Sequence, residues 1–260
     1  MFRWLRGLRA APRIPDAVWE ATLARYPFLA SRPASDVERL RALAAGFLRD
    51  KEFHGAHGFV VTDEVAVAVA AQAVLPILHL PGGLDWYDDF VGIVMHSAEV
   101  VARRSAIDEA GVVHEYDEVI AGEAMDRGPV MLSWQDVLAS GVEAADGYNV
   151  VVHEFAHKLD MRGGDADGCP PLPDGFAGTS NAREARAAWT AVMEPAYADF
   201  RERTIVAERF GGETPWLDAY GAESIGEFFA VACEGYFVHR AAFEKEFPAV
   251  CGLFDAFFGS

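Results

Sequence analysis

The spacing of apolar positions divides the chain into helical and extended stretches. Between Ser35 and Arg49 the apolar residues Val37, Leu40, Ala44, Phe47 and Leu48 recur every three or four positions, the period of a helix that buries one face. Ser35 and Glu38 at its start have the spacing of a capping box. Pro15 to Arg25 reads as a shorter helix before it. From Val65 to Leu84 the chain carries no charge, and that length could cross a bilayer. Gln72, Pro76, His79, Pro81, Gly82 and Gly83 argue instead for a buried helix ending at Pro76. Thr62 would be its N-cap, with Asp63 and Glu64 in the first turn, where acids complement the helix dipole.

From Phe90 to Val119 the period shortens. FVGIVMH, EVVARR and VVHEY are brief, rich in Val and Ile, and separated by polar or glycine-containing links, which predicts strands of a modest sheet. GPVMLSW, Gly128 to Trp134, is a further strand. Arg162 to Asn181 is too full of Gly, Pro and Asp for regular structure. Helix resumes at Ala182 to Arg203 and again at Ala222 to Phe237, where Ile225, Phe228, Phe229, Ala232 and Phe237 supply apolar contacts. The pattern is α+β, mostly helical with a small mixed sheet.

With 260 residues, 52% of them hydrophobic, the chain can bury a core, and it is read as a single domain over 1–260. Residues 1–13 form a basic N-terminal tail: Arg3, Arg6, Arg9 and Arg13 stand without an acid, and no continuous apolar run suits a secretory signal. The 40 acidic against 22 basic residues give a formal charge of -18, which repels phosphate backbones and argues against nucleic acid as a direct partner. Three cysteines, Cys169, Cys233 and Cys251, form no C-x-x-C pair; they fit a reducing, cytoplasmic setting and exclude a thiolate zinc cage. No membrane partner is expected.

The stretch that carries chemistry is Tyr148 to Asp160, YNVVVHEFAHKLD, with His153, Glu154 and His157 in the order H-E-x-x-H. Two histidines four apart on a helix lie one turn up the same face, about 6 Å of rise between them, so both imidazoles reach one ion. Zinc accepts such a pair, and Glu154 stands where a hydrolase needs a base for water. Val150, Val151, Val152, Phe155, Ala156 and Leu159 carry these polar groups into a core, where an ion of opposite charge is the natural remedy. The expectation is one Zn2+ per chain. GPVMLSW, just before this helix, is either an edge strand that pairs with substrate backbone or an ordinary sheet strand. His54 and His57, three apart beside Gly55 and Gly58, read as a turn and not a metal site. Asp165 and Asp167 lack the remaining positions of a calcium loop.

A catalytic zinc wants a third protein ligand, and ten residues after His153 the chain has Gly163, not a further histidine. At about 100° per residue, Glu223, Glu227 and Glu234 fall within roughly 40° of one another on the helix from Ala222. Glu227, central in the stripe and followed by Phe228 and Phe229, is least suited to a solvated face. Glu223 and Glu234 are then outer or exposed groups, one of which could orient a ligand histidine. Spacing alone leaves all three open.

LPILHL at Leu75, GPVMLSW at Gly128, YNVVVHEFAHKLDM at Tyr148 and DAYGAESIGEFFAVACEGYF at Asp218 together resemble the Mlc titration factor A family of zinc peptidases, over nearly the whole chain. The metal core is similar to the zincin-like domain of lethal-factor-type toxins, in which a tyrosine precedes the glutamate ligand by seven residues, as Tyr220 precedes Glu227. The resemblance implies that His153, His157 and Glu227 bind zinc, that Glu154 is the general base and that Tyr220 holds the tetrahedral intermediate. It implies aminopeptidase-like cleavage of a peptide or protein substrate, and a second function, binding of a glucose-responsive transcriptional repressor. The chain departs from the family at GDADG from Gly164, where an asparagine tends to precede the last glycine, and in its rather long 162–181 loop.

Overall fold

The computed structural model describes residues 13–107 and 113–259. The basic tail, apart from Arg13, lies outside them. Helix α1 (Asp16–Arg25) starts behind Pro15, a one-turn helix α2 (Pro27–Ala30) follows, and α3 (Ala34–Asp50) buries Leu40, Ala44 and Phe47 as its period requires. The expected capping box is absent. Pro33 occupies the N-cap position, two residues ahead of Ser35, so Ser35 and Glu38 both lie inside the helix and no side chain caps its start. After β1 (Glu52–Gly55) comes α4 (Asp63–Ala73), where the Thr62 hydroxyl accepts the Val65 N–H at 3.4 Å. Beyond the acidic first turn this helix is buried over most of its length, and it stops three residues ahead of Pro76. No described helix is long and apolar enough to cross a membrane.

Strands β2 (Gly92–His96), β3 (Val100–Ile107), β4 (Val113–Ile120), β5 (Gly122–Ala124) and β6 (Val130–Ser133) divide into two sheets. The larger has the order β1-β2-β6-β5, with β1, β2 and β6 parallel and β5 antiparallel to β6. The smaller is an antiparallel arm of β3 and β4, in register from Val100 opposite Ile120 to Ile107 opposite Val113. EVVARR and VVHEY therefore do not join FVGIVMH in one sheet. The run HEYDE leaves β4 too polar for a sheet packed between other layers. GPVMLSW supplies β6, an interior strand and not the edge, and its Trp134 already begins α5 (Trp134–Val142). The edge is β5.

Helix α6 (Val150–Asp160) contains the H-E-x-x-H stretch, and every one of its residues is buried. Asn149 starts it, its side-chain oxygen accepting the Val152 N–H at 2.9 Å. Asn181 does the same for α7 (Ala182–Phe210) and Ser224 for α8 (Ile225–Val238). Helices α9 (Arg240–Glu246) and α10 (Pro248–Phe258) close the chain and pack Phe243, Phe254 and Phe258 around Tyr236 of α8.

The loop over 162–181 is irregular apart from single 3-10 turns, as its composition requires, yet it is fastened at Gly168. The Gly168 N–H donates to Asp160 Oδ2 at 2.7 Å, and Trp189 Nε1–H of α7 donates to the Gly168 carbonyl at 2.7 Å. Gly168 has φ +75, and a Cβ there would stand 2.7 Å from the Ile225 carbonyl oxygen, so only glycine lets the loop touch α8. Asp167 holds the same loop to α7 through an ion pair with Arg186.

Asp160, at the end of α6, is fully buried, and among the described residues its Oδ1 has no hydrogen-bond partner. Burial, reinforced by Asp167, pushes its carboxyl up to about 7, although the Gly168 N–H and His157 oppose the rise. An unfolded aspartate ionises near 3.8. The folded state therefore keeps a proton that the unfolded state has lost, and Asp160 favours folding below that pH and progressively less as the pH climbs toward 7. Asp160→Asn removes this titration. Urea midpoints measured at pH 4.5 and 7.5 should show the variant gaining on the wild type at the higher pH, by no more than roughly 4 kcal/mol.

Candidate metal centre

Helices α6 and α8 meet at three donor atoms. His153 and His157 stand one turn apart with ring centroids 4.8 Å from each other, and their Nε2 atoms are 3.2 Å apart. Glu227, in the first turn of α8, places Oε2 3.1 Å from each of those nitrogens. Atoms bound at about 2.0–2.1 Å to one tetrahedral ion are separated by roughly 3.3 Å. The spacing is that of a single ion's ligands. Among the described residues, this is the group of three His, Cys, Asp or Glu side chains close enough to hold a metal.

The tautomers fit as well. Glu234, seven residues and about two turns after Glu227, accepts a hydrogen bond from His153 Nδ1 at 2.8 Å. With the proton on Nδ1, His153 turns the lone pair of Nε2 toward Glu227 Oε2, and two lone pairs 3.1 Å apart require a cation or a proton between them. Burial alone lowers the His153 pKa, but Glu227 and Glu234 outweigh it and hold the imidazole well above its ordinary range. Burial pushes Glu227 up, and the two histidines overcome that and bring it to about 2. In Glu234 burial prevails and the pKa is raised, against the pull of His153.

Glu234 is itself held. Its second oxygen accepts the backbone N–H of Asn149, and Asn149 Nδ2 donates to Gln72 Oε1 at 2.8 Å. Gln72 Nε2 returns to the Ala68 carbonyl of its own helix at 3.0 Å. Gln72, Asn149 and Glu234 are all buried. A chain of hydrogen bonds thus runs from the last turn of α4 to the imidazole of His153. Glu234 was read from the sequence as a group that could orient a ligand histidine, Gln72 stood out only as an amide in an otherwise apolar run, and Asn149 gave no signal beyond its place before a helix.

Glu154 is buried on the face of α6 turned to β5, and burial raises its carboxyl pKa, with both histidines opposing. Tyr220 lies in a 3-10 turn (Ala219–Ala222) whose Asp218 side chain accepts the Tyr220 N–H at 2.9 Å. Its ring is 5.9 Å from that of His153 and 41% exposed. Glu154, Tyr220 and the three donors line one cavity of about 380 Å³, with Gly122 of β5 as part of its wall. Glu223 is outside this group. Helix α8 starts only after Ser224, so Glu223 sits in the preceding turn, exposed, and the assumed helical stripe does not reach it.

The family described as glucose-regulated metallo-peptidase M90 matches the chain over residues 2–259. The chain belongs to the M90 family. Proteins named Mlc titration factor A from Escherichia fergusonii and Salmonella agona are 32% identical to it over 260 and 259 residues. The matches cover 100% and 99% of this chain and 92% and 91% of theirs. The resemblance read from the sequence therefore holds at the level of the family. M90 membership implies a metal, and the two imidazoles and the carboxylate on α6 and α8 are fitted to one.

Metal affinity should rank the three glutamates. By competition against a chelator, Glu227→Ala should lose the most, Glu234→Ala about 10–100-fold, the usual size for a group that orients a ligand, and Glu223→Ala little. A loss at Glu223 as large as that at Glu227 would contradict the geometry.

Proposed function

We propose that this M90 chain is a zinc-dependent peptidase of zincin-like build, a single cytoplasmic domain that hydrolyses peptide bonds in an aminopeptidase-like manner. His153, His157 and Glu227 would hold the zinc, Glu154 would be the general base and Tyr220 would stabilise the oxyanion. The observation that carries this reading is the convergence of three donor atoms on the wall of a cavity that also contains an acid with no part in the donor set, Glu154. A purely structural ion needs no such neighbour.

When bound, zinc contributes Lewis acidity and a water whose pKa falls toward about 7. The Glu154 carboxylate would accept a proton from the attacking water and return it to the departing amine, a role suited to a carboxylate whose pKa burial has raised. The Tyr220 hydroxyl donates to the oxygen of the peptide carbonyl as negative charge builds there. The Glu234 carboxylate keeps His153 in the tautomer that leaves Nε2 free for the ion. Strand β5, at the edge of the sheet, offers backbone groups beside Glu154 to which an extended substrate can add as a further strand.

A second reading is that the chain acts by sequestering a transcriptional repressor of sugar uptake, with hydrolysis secondary. Its support is the name of the 32% identical relatives, which makes them titration factors of Mlc. Glu154→Gln separates the two. It keeps the shape and both histidines, so zinc and fold should persist while peptide hydrolysis drops by about two to four orders of magnitude. Under the sequestering reading, the same variant binds the repressor as well as the wild type does. Undiminished hydrolysis in folded, zinc-loaded Glu154→Gln would sink the mechanism.

Tyr220→Phe tests the oxyanion role alone. It deletes one hydroxyl from an otherwise unchanged ring, so zinc content should stay and kcat should fall tenfold or more, by about the hundredfold typical of a lost oxyanion donor. An unchanged kcat would make Tyr220 a wall of the cavity only.

A further inference from the structure

Strand β5 is three residues long, and so short an edge ladder is weakly held by its own hydrogen bonds. It enters from the β3–β4 arm through Ala121 and leaves into the turn Met125 to Pro129, so no helix carries either end. Its position has to be set from outside the sheet, and one face of α6 touches both the strand and the turn that follows it.

The first is Lys158. It lies four residues after Glu154, one turn further along the same face, and is 1% exposed despite its charge. Its Nζ donates to the carbonyl oxygens of Met125 and Gly128, the latter at 2.9 Å, and stands 4.4 Å from the centroid of the Phe90 ring. Both carbonyls belong to the turn joining β5 to β6, which the Gly128 N–H closes onto Met125 at 3.0 Å. An ammonium this deeply buried is costly unless its N–H groups find partners, and the turn supplies two acceptors while the Phe90 ring lies beside the charge.

The second contact is Gly122. A Cβ at this position would fall 2.5 Å from Glu154 Oε1 and 2.7 Å from its Cγ. The backbone of β5 and the Glu154 carboxylate therefore face each other across a gap that admits a hydrogen and no side chain. We propose that Lys158 and Gly122 together form a positioning device, Lys158 fixing the register of β5 along α6 and Gly122 fixing its distance from Glu154. On the peptidase reading, on which this inference rests, the device aligns an extended peptide lying on β5 with the base that protonates its leaving amine. A strand displaced by a single residue would present its alternate face.

The test uses the full-length zinc-loaded protein and four forms: wild type, Lys158→Met, Gly122→Ala and the double variant. Zinc content, hydrogen exchange over 121–133 and hydrolysis of internally quenched peptides are measured on each. Lys158→Met should keep its zinc, exchange the amides of the β5–β6 hairpin at least ~10-fold faster, and raise KM more than it lowers kcat. Gly122→Ala should keep its zinc and lose kcat by ~100-fold, because an ångström of displacement at the base is enough for that. In the double variant the loosened strand can retreat from Glu154, so the Gly122→Ala penalty should shrink; this is the coupling a merely structural lysine would not show.

Additive penalties, or unchanged exchange in Lys158→Met, would overturn the proposal. So would a loss of zinc that tracks the loss of activity, since Lys158 would then support the metal helix and not the strand. Should Lys158→Met fail to fold, Lys158→Arg, which keeps the charge but alters its reach, takes its place with the same expected directions. A wild-type protein that cleaves none of the peptides, while Lys158→Met still loosens the hairpin, would remove the peptidase reading and leave the device standing.

Discussion

Two imidazole nitrogens and one carboxylate oxygen, drawn from two helices, are held within 3.2 Å of one another in a buried place. Nothing in an apolar core favours that arrangement by itself. Desolvating the carboxylate is costly, and attraction to a buried imidazole repays the cost only with good geometry and with the remaining polar atoms satisfied. The second carboxylate, Glu234, meets that condition for His153, and the caps at Asn149 and Ser224 meet it for the starts of the two helices. A metal held between α6 and α8 would therefore contribute directly to the stability of the fold.

Asn149 ties two requirements together. Its side-chain oxygen caps α6, its side-chain nitrogen reaches Gln72, and its backbone N–H holds the carboxylate that orients His153. The residue that starts the helix therefore also sets the rotation of an imidazole one turn later. Because Asn149 and Gln72 are wholly buried, neither can exchange these bonds for water, so loss of any link leaves an unpaired group behind. This accounts for an amide in the last turn of α4, whose other buried positions are apolar.

What could be read from the sequence follows the range of the interaction that encodes it. His153, Glu154 and His157 are local: a four-residue spacing on one apolar helix is complete information. Thr62 as a cap and the irregular 162–181 loop are local too. Glu227 was one of three open choices on spacing alone, since the helical stripe was drawn through Glu223, and the Ser224 cap that excludes it competes with the periodicity. Strand β5 left no mark because three residues are too few for any period, and its partner β6 was a strand candidate whose place in the sheet no pattern could give. The arm of β3 and β4 looked like sheet because its pairing is real, but with itself. Gln72, Asn149 and Lys158 act across tens of residues, through contacts that only the folded chain brings together.

Those long-range contacts share one origin, the burial of α6 on every side. A helix turns about 100° per residue, so successive residues of H-E-F must meet three different surroundings. His153 and His157 face α8 and its carboxylates. Glu154 and Lys158 face β5 and the turn beyond it. Phe155 faces an aromatic nest, 5.5 Å from Phe47, 5.0 Å from Tyr87 and 6.1 Å from Phe90 by ring centroid. The Phe90 ring also lies beside the Lys158 ammonium, so the apolar and the strand-facing sides of the helix share a partner. Sliding α6 along its axis or turning it would break ionic, hydrogen-bonded and dispersion contacts at once. No single one of these need be strong, since their different geometries leave the helix one position, and the spatial relation of Glu154, the three donor atoms and strand β5 is fixed with it.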